Sequence, residues 1–589
     1  MEEVDRAVPE THFVIPSPTS YRRMSLLKKL SAFCSRSCNA AILAAGFFWL
    51  FAAGAAAQSV TPEPTPTPDP MPIAPVPNIQ LRPMPSQDRI GIENGSGITL
   101  TLERAIEMAL ENNNDIEIAR KTGRIGNFQI EVAKGAYDPV AAAESYYERL
   151  NIPTASLIGG AVNGSVTQTR LFGSAGIIGL SPWQGGDYSL LYNSSRTTTS
   201  NTNAFLNPQF PASLTFSYNQ PLFRGRRIDG TRRQIEVARK NLEISEIQLR
   251  LQTTAVVTAV EAAYWDLTFA LRNLQVQTDT LRQAREQFES NRRQVERGVL
   301  APVELVASNA QVAGFEQAVF SAQENITRAE NVLKTLLLPD RTSPEWRQTL
   351  TPVTPVDRSV PSVALEIALS DAFRNRPELE QFEKASDLNK IDERFFRDQA
   401  KPQIDLNGSY TAQGLSGTET PAAINPATGL SRVPPNLVGG YFTSLGNLLA
   451  QDYPSYRVGV TISIPFRNRT AKANLGRTLV EGERLAEQRA AAEQQIEAEV
   501  RNALQALRSA SARLDSAIIA RQAAEELYAS EERQFRAGTT TFYLVLQRQS
   551  DLASARGREL QSRTDLNKAI AEFNRATGRT LSVNNISLR

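Results

Sequence analysis

The sequence predicts a mainly α-helical protein that also carries membrane-type β-structure, built from two related halves of one chain. Three observations predict it: an internal duplication, two unbroken helical stretches of about 68 residues each, and segments of alternating apolar and polar residues set between the helices of each half. Composition agrees. In 589 residues, 41% are hydrophobic and only 7% aromatic, and long Ala/Glu/Gln/Arg runs favour extended helices over compact domains.

The N-terminus has the pattern of an export signal. From Met24, with translation starting there, Lys28, Lys29 and Arg36 form a basic region; Ala40 to Ala53 is apolar, and Ala55-Ala56-Ala57 offers a cleavage site before Gln58. The apolar run is short of the ~20 residues that span a bilayer, so residues 1–57 are expected to be removed. Both cysteines (Cys34, Cys38) and the single histidine (His12) lie within that segment. The mature chain then has no thiol and no imidazole, which excludes Cys or His catalysis, zinc sites built on them, and disulfides. Carboxylate catalysis stays open at this point. Basic and acidic side chains balance at 64 and 62, so no nucleic-acid partner is expected. Residues 58–97 follow as a leader; its TPEPTPTPDPMPIAPVP tract at 61–77 favours solvated polyproline and predicts disorder.

Beyond the leader the duplication sets the organisation. LTLERAIEMALENNNDIE (100–117) recurs as VALEIALSDAFRNRPELE (363–380), and the same shift carries Pro139 onto Pro402 and Tyr147 onto Tyr410. A second constant shift places Val260 on Val500, Leu267 on Leu507, Gln294 on Gln534 and Gly298 on Gly538. The halves span 98–340 and 363–580, with a linker at 341–362 and a tail at 581–589. Each runs helix, β region, very long helix, glycine turn, returning helix.

The first helix starts near Thr101, whose hydroxyl can cap it, with Glu103 in its first turn; it is expected to give way near Gly123–Gly126 and to end by Asp138-Pro139. The β regions fall at 138–224 and 402–466. In them Leu214, Phe216 and Tyr218, then Ile404, Leu406 and Tyr410, then Val458, Val460 and Ile462 alternate with polar residues, which fits a lipid-facing wall and equally a half-buried soluble sheet. Tyr and Phe crowding suits interfacial girdles. Four strands are expected per chain, with 197–210 and 411–452 as exposed loops; 151–185 holds more potential strand than one hairpin needs.

The long helices are expected over 228–297 and 471–537, roughly 100 Å of rod each, with returning helices over 302–337 and 540–577. Val256, Val260, Ala263, Leu267, Ala270 and Leu274, and Ile496, Val500, Ala503, Leu507, Ala510, Leu514 and Ala517, keep a heptad register. That register predicts left-handed supercoiling and, through alternate alanines, close helix approach. A plain structural coiled-coil envelope protein gives the same heptads, but not the strands between them. Four strands leave open edges that a bilayer does not tolerate, so closure requires other copies of the chain.

The ordered set FSYNQPLFRGRR (216–227), RGVLAPVELVASNAQ (297–311), VGVTISIPFRNRTAKA (458–473) and RAGTTTFYLVLQRQSDLASAR (536–556) resembles the TolC-type outer-membrane efflux proteins over about 98–580. The resemblance implies a homotrimer with a twelve-stranded β-barrel in the outer membrane of a Gram-negative bacterium and a long α-helical barrel in the periplasm. It implies a passive exit duct of a tripartite efflux or type I secretion system, served by a periplasmic adaptor and an inner-membrane pump of RND, ABC or MFS type. Neither enzymatic chemistry nor a cofactor is implied. In the family the two helix-turn tips carry an R-x-G-like element docked by the adaptor; Arg297 and Gly298, and Arg536 and Gly538, occupy those positions, the second pair matching better. The family also narrows its tunnel near the tips with carboxylates. Glu304 keeps one, whereas Leu544 and Gln547 stand where two aspartates are usual, which predicts an apolar and amide constriction with Tyr543 and Phe542 nearby. A periplasmic adaptor, the alternative duct component, would show one helical hairpin flanked by compact β domains rather than two equivalent halves.

Overall fold

The computed structural model describes residues 80–587 except 87, 94–96, 155–158, 162–163 and 358. The export signal and the proline tract lie outside the described residues. The first half opens with β1 (Gly97–Leu100), α1 (Leu102–Asn112) and α2 (Asn114–Lys134). Thr101 Oγ1 accepts from the Arg104 N–H at 3.1 Å, the expected cap. The helix breaks at Asn113, not at Gly123–Gly126. The Asn113 side chain accepts from the Asp115 N–H at 3.0 Å and thereby starts a second helix. Gly126 stays helical because it lets another helix approach: a Cβ there would lie 3.2 Å from Leu242 Cδ1.

Strands β2 (Val140–Pro153), β3 (Ser165–Leu180), β4 (Asp187–Thr199), β5 (Leu206–Gln209) and β6 (Ala212–Pro221) lead into α3 (Gly230–Glu296) and its return α4 (Pro302–Leu337). Asp229 caps α3 through the Arg232 N–H at 2.7 Å. The second half repeats the plan: β7 (Thr349–Pro352), α5 (Leu365–Asn375), α6 (Pro377–Gln399), β8 (Gln403–Gly414), β9 (Gly417–Glu419), α7 (Tyr441–Ala450), β10 (Tyr453–Ser463), α8 (Arg469–Arg536), α9 (Phe542–Ala576) and α10 (Thr580–Val583). The stretch 411–452, expected as loop, thus contains β9 and α7.

One antiparallel sheet runs β10-β8-β6-β4-β3-β2, with β5 pairing β4 and β9 at its side. Six long strands therefore stand where four were expected. The duplication matches β2 to β8 through Pro139 and Pro402, so the strands without a counterpart are β3 and β4, between β2 and β6. β3 falls in the 151–185 surplus, and its alternation is interrupted by Gly173, Gly176, Gly179 and the Ile177-Ile178 doublet. The pairing itself is regular, unbroken from Val140↔Ile178 to Pro153↔Ser165.

The helical core follows the heptad seams. Val256, Val260, Ala263, Leu267 and Ala270 are buried with α1 and α4 residues; Ile496, Val500, Ala503, Leu507 and Ala510 are buried with α5 and α9 residues. Each fully buried Val or Leu contributes about 1.5–3 kcal/mol of transfer free energy. β1 and β7 form a separate parallel pair. Tyr264 ties it to α3 by donating to Leu100 O at 2.9 Å while accepting from the Thr354 N–H at 3.0 Å.

The expected disordered leader ends earlier than 97. Its last described part lies along the α3–α4 hairpin: Gln323 donates to Ser86 O at 2.7 Å, Arg285 donates to Pro83 O at 3.2 Å, and Arg89 pairs with Glu330. Leu81 packs against the hairpin core. Backbone acceptors, one ion pair and one apolar side chain seat this segment, which makes no helix of its own.

Candidate functional site

At the α3–α4 turn, Gly298 has φ +74°, and so does Gly538 at the α8–α9 turn. Gly298 N–H donates to Val295 O at 2.9 Å and Val299 N–H to Gln294 O at 2.9 Å. Gly538 N–H to Phe535 O and Thr539 N–H to Gln534 O, both 3.0 Å, repeat the pattern at equivalent positions. Both tips are Schellman caps, in which the left-handed residue lets two late N–H groups reach carbonyls left open by the helix end. A Cβ at either glycine would meet nothing within 4 Å, so the backbone angle alone demands glycine. Arg297 and Arg536 stand exposed beside the caps, Arg536 paired to Glu532 one turn back. Val299 and Val303 are exposed apolar residues on the same tip as Arg297.

The four expected constriction residues lie in the first turns of the returning helices. Glu304 and Leu544 are half-buried at equivalent positions, while Tyr543 and Gln547 are exposed. Phe542 is 2% exposed and packs on Phe535 with ring centroids 5.6 Å apart, inside the α8–α9 hairpin. Behind the first tip, Asn291 donates to Ser308 Oγ at 2.8 Å inside the α3–α4 hairpin. Gln311 donates to Ser550 Oγ at 2.8 Å and so joins the two hairpins. Sequence inspection did not find these amides, because Asn and Gln in a long helix read as solvated face.

At the other end, register places Leu214, Phe216, Tyr218, Val458, Val460 and Ile462 on one face of the sheet. Val458 is 76% exposed there, and Phe216, Val460 and Ile462 are exposed with it. The opposite face is polar across the same strands: Thr215 meets Thr411 hydroxyl to hydroxyl at 3.0 Å, and Asn407 donates to Thr461 at 2.7 Å. Helix α7 lies over the apolar face at its loop end, where Leu448 packs with Ala212 and Ala412 and the Tyr441 and Tyr192 hydroxyls meet at 2.9 Å.

No described helix is long and apolar enough to cross a membrane. A cleft of about 690 Å³ between the halves is lined by Arg250, Arg376 and Arg575, each paired with a carboxylate: Arg250 with Glu380, Arg376 with Glu378 and Glu499, Arg575 with Glu572. Burial pushes the Glu499 carboxyl up, but the Arg376 and Arg575 guanidiniums outweigh it and hold it below the ordinary range. These are neutralised structural pairs.

Known proteins with this arrangement are outer-membrane channels. The chain superposes on the outer-membrane channel OprN with a TM-score of 0.57 at 16% identity, covering 85% of this chain and 98% of that one. The CmeC outer membrane channel of Campylobacter jejuni gives 0.57 at 15% identity, covering 86% and 94%. The open-state MtrE outer membrane channel of Neisseria gonorrhoeae gives 0.54 at 18% identity, covering 82% and 89%. No curated protein sequence matches the chain. The sequence model described as outer membrane efflux protein matches residues 187–337 and 368–579, one stretch in each half. With most of its length matched, duplicated helical hairpins and an open one-sided sheet, the chain belongs to the outer membrane efflux protein family.

Proposed function

We propose that this outer-membrane efflux channel works as a homotrimer, its sheet closed by neighbouring copies and its α3–α4 and α8–α9 tips docked by a periplasmic adaptor that couples it to an inner-membrane pump. The carrying observation is the sheet: one face apolar and exposed, the other polar, and two edges that a single chain leaves open. In hydrocarbon every backbone N–H and C=O needs a partner, so such a sheet enters a bilayer only when other copies complete it. Members of this family conduct and do not catalyse. The protein's contribution is a lined passage, and the energy comes from the pump.

At the tips, Arg297 and Arg536 present charge and Val299 and Val303 present apolar surface on rigid caps, a mixed patch suited to an adaptor. The constriction is set by Leu544, Gln547 and Tyr543 with Glu304 as its acidic group. The test is single-channel recording of protein extracted from outer membranes. Ion conductance insensitive to low concentrations of divalent cations is expected; block at low concentrations would overturn the apolar and amide constriction, and absence of any conductance would overturn the channel.

A further inference from the structure

We infer that β2 and β3 are part of the membrane wall, so that three copies close an eighteen-stranded barrel in which β10 of one copy pairs with β2 of the next. This rests on the trimeric reading above and departs from the twelve strands that the family resemblance implies.

The register carries the argument. One hydrogen-bonded row crosses all six strands on a single face as Ala141, Ile177, Leu190, Phe216, Tyr410 and Tyr456. Two residues along, the next row on that face reads Ala143, Ala175, Tyr192, Leu214, Ala412 and Pro454. Neither row holds a charge. At these rows the apolar face of β6, β8 and β10 therefore continues over β4, β3 and β2; towards the loops it ends where α7 packs on Tyr192, Leu214 and Ala412 and where Arg196 of β4 falls on the same face. Of the charges on β2 and β3, Glu144, Glu148 and Arg170 fall on the opposite face, Glu144 in register with Ser174, Asn193 and Ser213 on the neighbouring strands; Arg149 falls on the apolar face, but beyond both rows towards the loops. A hairpin lying outside the bilayer would have no reason to keep this phase. Trp183 stands 74% exposed in the turn between β3 and β4, at the helix-side end of the sheet where an interfacial aromatic belongs.

Topology gives the occupant of the open edge. The strands alternate in direction along β2, β3, β4, β6, β8 and β10, so the free edges β2 and β10 run antiparallel to each other. A second copy of this chain presents to β2 a β10 edge of matching direction and length, with its apolar residues on the same side. The family match begins at Asp187, the first residue of β4, so β2 and β3 lie outside it. With strands about 4.8 Å apart and tilted about 40°, twelve strands close at about 24 Å between backbones and eighteen at about 36 Å.

The test is disulfide trapping in the exported full-length chain, with single cysteines at Tyr456, Val458, Val460 or Ile462 combined with single cysteines at Ala141, Ala143, Ser145 or Tyr147. Crosslinks between copies from β10 to β2 are expected. A parallel set combines β10 with Tyr188, Leu190 or Tyr192 of β4; crosslinks there would mean a twelve-stranded wall with β2 and β3 set aside, and would overturn the inference while the trimeric channel stands. Imaging of the unmodified protein gives an independent readout: a barrel about 1.5-fold wider than a twelve-stranded one is expected, and a twelve-strand cross-section contradicts it. A monomer outside the outer membrane would overturn the trimeric reading itself.

Discussion

Gly298 and Gly538 were legible in the sequence because a left-handed cap has a signature: a helix pattern that stops at glycine and resumes after a few residues. Gly298→Ala and Gly538→Ala are each expected to destabilise their tip by about 1 kcal/mol through backbone strain alone. Faster amide exchange confined to the tips would show it; unchanged exchange would mean the cap relaxes freely. Lys334 was not legible, since a lysine in a long helix reads as solvated. It is in fact buried, donating to Trp346 O at 2.9 Å and Gln348 O at 2.6 Å beside Glu330. Burial pushes its pKa down. Lys334→Met leaves those carbonyls unsatisfied and is expected to cost about 3 kcal/mol, read as a lower heat-dissociation temperature. Glu559 supplies the pH dependence. Burial pushes its carboxyl up, yet Arg521 at 2.7 Å and Arg563 at 2.9 Å outweigh this and hold it below the ordinary value of about 4.3. A depressed carboxyl stabilises the fold above the unfolded pKa and loses that effect as pH falls through the folded one. Glu559→Gln is therefore expected to cost about 2 kcal/mol at neutral pH, with the gap closing below about pH 4. A gap independent of pH would mean the carboxylate is not what holds α8 to α9 there.

Long helices were the easiest elements to read, because heptads and an absence of proline persist over many turns. The strand β3, within the 151–185 stretch, was the hardest, because its glycines carry little periodic signal even when the register is regular. What joins the halves was also hidden: α3 and α6 meet through ion pairs, Arg233–Asp392 at 2.8 Å, Glu236–Arg394 at 2.5 Å, Glu243–Lys384 at 2.9 Å and Arg250–Glu380, rather than through an apolar seam. Each such half-exposed pair contributes at most about 1 kcal/mol and is screened by salt. Arg250→Glu is expected to lower thermal stability slightly in dilute buffer and less in high salt, and adding Glu380→Arg should restore most of it. A double variant no better than the single one would show that the pair carries no charge coupling.

At the scale of the molecule, the duplication is the fact from which the rest follows: two equivalent hairpins give paired tips at one end and an open sheet at the other. The sequence pattern revealed that plan and the apolar phase of β6, β8 and β10. It did not reveal the number of strands, which depends on long-range pairing rather than on local periodicity. The central claim is that this sheet seals only against further copies, around a lumen. The measurement that tests it most directly is a cryo-EM reconstruction of the protein extracted from outer membranes. Three chains around one continuous passage, with the Val458 face in detergent or lipid and the Thr215 face lining the lumen, is the predicted result. A single chain with its sheet closed on itself, or covered by its own helices, would contradict the account.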